Sequence, residues 1–161
     1  MIPYVGEYRQ ACDGQGRVNV PSRFRELLKI EKSNLLVAMK GLERCISLMP
    51  LSAWERFQAS LNTSEIESDR QGRYFRRALL RGGEALQIDA QGRIQLNKTL
   101  REHARIQRDV VVYGIGQRFE IWSAETFDEY MKAGEFMGGS LEEHAAKYMW
   151  SHGPDETDLG R

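Results

Sequence analysis

Two short segments of the chain place a guanidinium and a carboxamide two residues apart. Arg17 is followed by Asn19 in the first segment, and Arg93 is followed by Gln95 in the second. Arginine can pair bidentately with the O6 and N7 edge of guanine, while asparagine and glutamine suit the N6 and N7 edge of adenine. In a second interpretation each arginine forms an ion pair with the aspartate four residues before it. The residue types alone leave both interpretations open.

Each arginine closes a segment with the pattern Asp-x-Gln-Gly-Arg, at residues 13–17 and 89–93. An aspartate that opens a turn can accept hydrogen bonds from the backbone N–H groups just after it, and a glycine three positions later supplies a positive φ. We therefore interpret these residues as turn formers, and not as a carboxylate pair for catalysis. The turn-forming residues are Asp13, Gly16, Asp89 and Gly92.

A short alternation of apolar and polar residues follows each turn. Val18 and Val20 alternate with Arg17 and Asn19, and the second segment has the same pattern. Because successive side chains of a strand point to opposite faces, this alternation predicts two short strands. In each strand the arginine and the amide lie together on the polar face.

These segments belong to a longer internal repeat. Residues of the two copies correspond at an offset of 76 from the turn as far as Leu35-Leu36-Val37, which matches Val111-Val112-Tyr113, and at an offset of 73 from Ile46 onwards. We place the three extra residues of the first copy in a longer hairpin loop at 40–44. Each copy then reads as strand, turn, strand, short helix, hairpin and helix. Two copies predict a duplicated half-domain whose halves pack together.

The chain resembles the MraZ family of bacterial transcriptional regulators, within the AbrB-like (SpoVT-AbrB) superfamily. The resemblance rests on the duplicated D-x-x-G-R units, the segment Val-Pro-Ser-Arg-Phe-Arg at 20–25, the arginine-rich segment between the repeats, and the helices of Trp54 and Phe127. It covers roughly residues 4–130. It implies an α+β fold dominated by strands, in which the two repeats build a tandem swapped-hairpin β-barrel with flanking helices.

The resemblance also implies a function. Members form ring-shaped homo-oligomers and bind double-stranded DNA at short G-containing direct repeats, in the promoter of the division and cell-wall gene cluster. The arginine of the motif contacts DNA in the family, and Arg17 and Arg93 occupy that position. The DNA-binding residues expected here are Arg17, Arg93, Asn19, Gln95, Arg23 and Arg25, the last two as phosphate contacts. The second copy has Ala90 and Asn97 where the first has Gly14 and Pro21, which leaves open whether both copies contact DNA equally.

Four regions describe the expected organisation. They are a first repeat at 1–61, an arginine-rich connecting helix within 62–83, a second repeat at 84–133, and a partly helical or disordered tail at 134–161. The connecting helix is predicted to run from Ser64 to Arg81. A stripe of arginines along it, at 70, 73, 77 and 81, is interpreted either as a solvated face or as a nucleic-acid contact.

The charge is balanced overall and uneven along the chain. The sequence has 23 basic and 23 acidic residues. Residues 1–60 carry 9 basic and 6 acidic side chains, residues 61–110 carry 10 and 7, and residues 111–161 carry 4 and 10, which gives +3, +3 and −6. A basic body with an acidic end favours a nucleic-acid partner. The zero net charge favours the alternative, an antitoxin-like AbrB module that binds proteins and has no sequence-specific DNA readout.

Signals for other classes of protein are weak. The sequence has no nucleophile elbow, phosphate-binding loop or H-E-x-x-H motif, so we predict no enzyme, no cofactor and no small-molecule substrate. Cys12 and Cys45 lack metal-ligand spacing, and His103 is interpreted as a surface residue, so no metal site is expected. Without a long apolar run we expect no membrane partner and a cytoplasmic protein. The DNA binding that the resemblance implies makes it nucleoid-associated.

Overall fold

The computed structural model describes residues 3–136 and 139–150. The elements of the first copy are β1 (Tyr4–Ala11), β2 (Arg17–Asn19), α1 (Ser22–Ile30), β3 (Leu35–Lys40), β4 (Cys45–Pro50) and α2 (Leu51–Leu61). Two helices follow, α3 (Ser64–Ser68) and α4 (Arg70–Leu80). The second copy contains β5 (Glu84–Gln87), β6 (Arg93–Gln95), α5 (Lys98–His103), β7 (Asp109–Gly116), β8 (Phe119–Ser123) and α6 (Ala124–Phe136).

The chain divides into two compact units, residues 1–126 and 127–161. The first unit holds all eight strands of the described residues. In the second, α7 (Leu141–Ala145) is followed by a π-helical turn (Ala146–Trp150). The prediction for residues 151–161 lies outside the described residues. None of the described helices is both long and apolar enough to cross a bilayer.

All strand pairs are antiparallel and form two sheets. The larger sheet has the order β1-β7-β8-β4-β3-β5, and the smaller one pairs β2 with β6. The predicted α+β class with two repeats is confirmed. Neither sheet closes into a barrel through the strand pairs of the described residues.

Most strand pairs join one repeat to the other. Strand β1 of the first repeat pairs with β7 of the second, and β5 of the second pairs with β3 of the first. Val18 lies opposite its repeat counterpart Ile94, and Ser47 lies opposite its counterpart Glu120. A pseudo-twofold axis therefore passes through both sheets, and the two repeats are interlocked.

One hydrophobic core serves both repeats, with buried side chains from all eight strands. Phe24 of α1 is fully buried, and its ring centroid lies 5.2 Å from that of Tyr4 and 5.0 Å from that of Phe119. Leu100, its counterpart in α5, is also fully buried. A smaller cluster joins α2 and α4 to the larger sheet through Met39, Met49, Ala53, Leu61 and Leu79. The strand after each Asp-x-Gln-Gly-Arg turn therefore packs on a core to which both repeats contribute.

The three extra residues of the first repeat lie in a helix. Helix α1 has nine residues and α5 has six. Each helix ends near a non-glycine residue with positive φ, Lys32 at 54° and Arg105 at 55°, and these positions are 73 apart. The offset has therefore changed before the hairpin begins. The loop of the first hairpin, 41–44, is longer than its counterpart at 117–118, as predicted, but the change in offset already occurs in the helix.

The predicted helix from Ser64 to Arg81 is two helices. Asp69 ends α3 and caps α4, since its Oδ2 accepts a hydrogen bond from the Gly72 N–H at 3.2 Å. Thr63 caps α3 through a bond from the Ile66 N–H. An aspartate side chain competes well for free N–H groups at a helix start, so it interrupts a run that periodicity reads as continuous.

Candidate nucleic-acid interface

The first Asp-x-Gln-Gly-Arg segment is a closed turn. Oδ1 of Asp13 accepts hydrogen bonds from the N–H groups of Gln15 and Arg17, both at 2.9 Å. The Gly16 N–H donates to the Asp13 carbonyl at 3.0 Å, and the Asp13 N–H donates to the Arg17 carbonyl at 3.0 Å. Gly16 has a φ of +81°. Side chain and backbone of one aspartate therefore make four hydrogen bonds to three successive residues.

The second segment has the same geometry. Oδ1 of Asp89 accepts from the N–H groups of Gln91 and Arg93, both at 2.9 Å, and Gly92 also has a φ of +81°. Identical turns arise from sequences 76 positions apart, so the motif itself determines the local fold.

Both aspartates remain ionised well below neutral pH. The hydrogen bond from the Arg17 backbone N–H is the main cause that lowers the pKa of Asp13, and the Arg93 N–H has the same effect on the pKa of Asp89. The guanidinium of each turn adds to the effect. Hydrogen bonds and cations that favour the charged form of a carboxyl group act in this direction.

Each arginine is paired with its own turn aspartate through Nε. The Nε of Arg17 lies 2.6 Å from Oδ2 of Asp13, and the Nε of Arg93 lies 3.1 Å from Oδ2 of Asp89. The predicted ion pair between each arginine and the aspartate four residues before it is thus present. It uses one edge of the guanidinium, however, and the side chains stay 33% and 28% exposed. Arg17 has no side-chain partner besides Asp13 among the described residues, whereas Nη2 of Arg93 also donates to Oε1 of Gln91 at 3.5 Å. The ion pair and a base contact are therefore compatible at Arg17.

The two short strands pair with each other and form a two-stranded ribbon. Arg17 lies opposite Gln95, and Asn19 lies opposite Arg93. Between them Val18 and Ile94 are each 1% exposed and point into the core. Because side chains alternate along a strand, the other four side chains share the outer face. We call this set, Arg17, Asn19, Arg93 and Gln95, the ribbon face.

The ribbon continues one residue past each strand. The Val20 N–H donates to the Gly92 carbonyl at 2.9 Å, and the Leu96 N–H donates to the Gly16 carbonyl at 2.8 Å. Each turn glycine is therefore bonded to the strand of the other repeat. Sequence reasoning placed an arginine with an amide within each strand, whereas the pairing that unites both strands has no signal in the local sequence.

The two halves of the ribbon face differ in their amides. Nε2 of Gln95 donates to the Gln15 carbonyl at 3.0 Å, so this side chain reaches the opposite turn. Asn19 is exposed, and no side-chain partner for it occurs among the described residues. The free amide is therefore on the side of Arg17.

The structure separates the two arginines predicted as phosphate contacts. Arg23 is exposed on α1, without a side-chain partner in the part of the chain that is described. Arg25 is half-buried, and its Nε donates to the Val20 carbonyl at 3.1 Å. Arg101 occupies the corresponding place in the second repeat, and its Nε donates to the Leu96 carbonyl at 3.1 Å. Arg101 corresponds to Arg25 at the offset of 76 and was not among the site residues predicted from the sequence.

Other reactive side chains have structural partners. His103 is half-buried, and its Nε2 lies 3.2 Å from the Gly41 carbonyl and 3.0 Å from that of Glu43. Burial lowers the pKa of His103, and the residue holds a hairpin loop where a plain surface position was expected. Burial raises the pKa of the Cys45 thiol. Within 3–136 and 139–150, no three histidine, cysteine or acidic side chains gather as metal ligands would.

Comparison with known proteins agrees with the duplicated architecture. The family model described as "MraZ protein, putative antitoxin-like" matches residues 4–75 and 79–147, once for each repeat. A transcriptional regulator MraZ from Caldanaerobacter subterraneus is 36% identical over 140 residues, which cover 87% of this chain and 94% of the relative. Those from Natranaerobius thermophilus and Heliobacterium modesticaldum are both 38% identical, over 82% and 89% of this chain and 89% and 95% of the relatives. The chain therefore belongs to the MraZ family of transcriptional regulators, which are not enzymes, and it carries the family's repeat twice.

Proposed function

We propose that this protein regulates transcription by binding double-stranded DNA in a sequence-specific manner, with the ribbon face as the base-reading surface. The observation that carries the proposal is the convergence of two guanidinium and two amide side chains on one outer face, formed by a strand from each repeat. These are the side chains that recognise guanine and adenine edges in the major groove.

The shape of the ribbon suits that groove. The major groove of B-form DNA is about 12 Å wide and admits a two-stranded β-ribbon. Neighbouring strands lie about 4.8 Å apart, so the ribbon leaves room for its outward side chains to approach the base edges. The inner face is filled by Val18 and Ile94, so only the ribbon face is available to DNA.

The ion pairs prepare the arginines for base contact. With Nε held by the turn aspartate, both terminal nitrogens of Arg17 remain to donate to O6 and N7 of guanine. A side chain already held in place loses less conformational entropy on binding. One bidentate contact of this kind contributes roughly 1–3 kcal/mol of discrimination against the wrong base.

Arginines on α1 supply phosphate contacts in this proposal. Arg23 is exposed and has its whole guanidinium free, whereas Arg25 has only its terminal nitrogens left for a phosphate. Residues 1–110 carry 19 basic and 13 acidic side chains, a net charge of +6. Such contacts position a protein on DNA without reading sequence, and they make affinity fall with salt.

We further propose that several copies act together as a ring-shaped oligomer on short G-containing direct repeats, in the promoter of the division and cell-wall gene cluster. A single ribbon reads too few base pairs for selectivity in a genome, and linked binding events multiply affinity. Leu42, Tyr74 and Phe75 are 78%, 73% and 44% exposed and are candidate subunit contacts.

The two sheets around one core support a barrel-like AbrB arrangement of the two repeats. A DNA partner implies a cytoplasmic, nucleoid-associated protein.

A second candidate function is an antitoxin-like protein-binding module. The family model's own description includes an antitoxin-like character, and the same exposed apolar side chains fit a protein partner. In that case the ion pairs of Arg17 and Arg93 serve only the turns.

A titration by fluorescence anisotropy tests the proposal. Wild type, Arg17→Ala and Arg93→Ala are each measured against a duplex with G-containing direct repeats and against a scrambled duplex, at several salt concentrations. We expect wild type to prefer the repeats and each variant to lose roughly tenfold of that preference. Arg23→Ala should instead reduce the slope of log K against log salt concentration by about 1, the effect of one lost phosphate contact. If wild type does not distinguish the duplexes, the protein-binding function is favoured.

A further inference from the structure

We infer that Arg25 and Arg101 are positioning residues, and that each of them fixes the turn of the opposite repeat. The part of this inference that concerns DNA rests on the function proposed above. The part that concerns the turns rests on contacts within the chain alone.

Arg25 of the first repeat lies against the second turn. Its Nε donates to the Val20 carbonyl at 3.1 Å, and the Val20 N–H donates to the Gly92 carbonyl at 2.9 Å. A methyl group added to Gly92 would lie 2.7 Å from Cζ of Arg25. The guanidinium therefore packs directly on the backbone of Gly92, one residue before Arg93.

Arg101 of the second repeat lies against the first turn in the same way. Its Nε donates to the Leu96 carbonyl at 3.1 Å, and the Leu96 N–H donates to the Gly16 carbonyl at 2.8 Å. A methyl group added to Gly16 would lie 2.9 Å from Nε of Arg101. The contact occurs twice, from unlike local sequences, so it belongs to the architecture and not to one surface rotamer.

Only an arginine meets both conditions of this contact. Its planar guanidinium occupies the space left by the missing glycine side chain, while its Nε donates to the strand carbonyl. A lysine keeps the charge and has neither the plane nor a donor at that position. Since each turn carries one ribbon-face arginine, the two crossed contacts hold Arg17 and Arg93 in a fixed relation.

Hydrogen exchange tests the crossed contacts without DNA. Arg25→Lys should raise amide exchange in residues 89–93 by about fivefold, the effect of one lost hydrogen bond, and leave residues 13–17 little changed. Arg101→Lys should show the reverse pattern. Arg108→Lys, at an exposed arginine without a described side-chain partner, is the control and should change neither turn. Loosening of both turns equally, or of the turn in the same repeat, would overturn the inference.

DNA binding tests the consequence for recognition. Arg101→Lys should lower the ratio of affinities for repeat and scrambled duplexes roughly tenfold, with an unchanged salt dependence because the charge is kept. In a protein that already carries Arg17→Ala, Arg101→Lys should lower this ratio of affinities little further, since both changes act on one base contact. Full retention of the ratio in Arg101→Lys would overturn the role in recognition. Absence of any preference in wild type would overturn the proposed function, while the exchange experiment would still judge the crossed contacts.

Discussion

At the scale of single residues, one carboxylate in each repeat has two tasks. Oδ1 of Asp13 accepts the backbone N–H groups that close the turn, and Oδ2 holds Nε of Arg17. The same division occurs at Asp89. The turn and the orientation of its arginine therefore depend on a single ionised group, so protonation should weaken both.

Replacement of Asp13 by asparagine should destabilise the protein at neutral pH and not in acid. The pKa of Asp13 is lowered in the folded state, so its charge adds stability above the pKa of about 3.9 that an unfolded chain has. That contribution is lost as the pH falls through the lower folded-state pKa. The difference in Tm between wild type and Asp13→Asn should be constant from pH 7 to about 5 and shrink below about 4.

Asp109→Asn is the control for this pH dependence. Asp109 is an exposed residue at the start of β7, without a described side-chain partner, and its replacement should leave Tm unchanged at neutral pH. A difference for Asp13→Asn that stays constant down to pH 2 would show that the charge of Asp13 has no role in the turn.

The two glycines of the first turn should respond differently to alanine. Gly16 has a φ of +81°, and an added methyl group would lie 2.6 Å from the Leu96 carbonyl oxygen. Gly14 has nothing within 4 Å of such a group, and the second repeat has Ala90 there. We expect Gly16→Ala to cost more than about 1 kcal/mol of unfolding free energy, and Gly14→Ala to be neutral or stabilising by roughly 0.4–1 kcal/mol. Urea denaturation measures both, and equal losses would contradict the assigned turn geometry.

At the scale of elements, the sequence predicted correctly those features that short local residue patterns determine. The turns, the strands beside them and the order of elements in each repeat have their own residue patterns. The split of the connecting helix at Asp69 was missed, because a capping aspartate and an interior one look alike in a periodic pattern. Helix α2 begins at Leu51 without a side-chain cap, and the hydroxyl of its second residue, Ser52, donates to Glu31 at 3.0 Å. The hydrogen bond of Ser52 to Glu31, 21 residues away, thus takes the place of a local capping bond.

The split of the connecting helix can be tested by matched alanine variants. Asp69→Ala removes the acceptor for the Gly72 N–H at the start of α4 and should cost about 1 kcal/mol, the usual effect of a lost N-cap. Ser64, where the predicted continuous helix begins, is the exposed first residue of α3, and the cap of that helix is Thr63. Ser64→Ala should therefore change the unfolding free energy by less than about 0.5 kcal/mol. The reverse ranking in chemical denaturation would favour one continuous helix.

At the scale of the whole molecule, the recognition surface exists only because the repeats are interlocked. Each repeat supplies one strand of the ribbon, and each turn glycine is bonded to the strand of the other repeat. Sequence analysis found both halves of the ribbon face but not their pairing, because contacts between residues 76 positions apart leave no periodic trace. A half-domain alone would present one arginine and one amide on an unpaired strand.

Interlocked repeats should unfold as one cooperative unit. Phe24 of the first repeat is fully buried against rings of both repeats, so Phe24→Ala should cost about 3–5 kcal/mol. Because buried side chains from all eight strands share that core, protection against hydrogen exchange should fall equally in β3 and in β5. Ile30→Ala, on the same helix at a side chain 63% exposed, should change protection in neither. Retained protection in β5 while β3 is lost would mean that each repeat holds its own fold, and that the ribbon joins two independent halves.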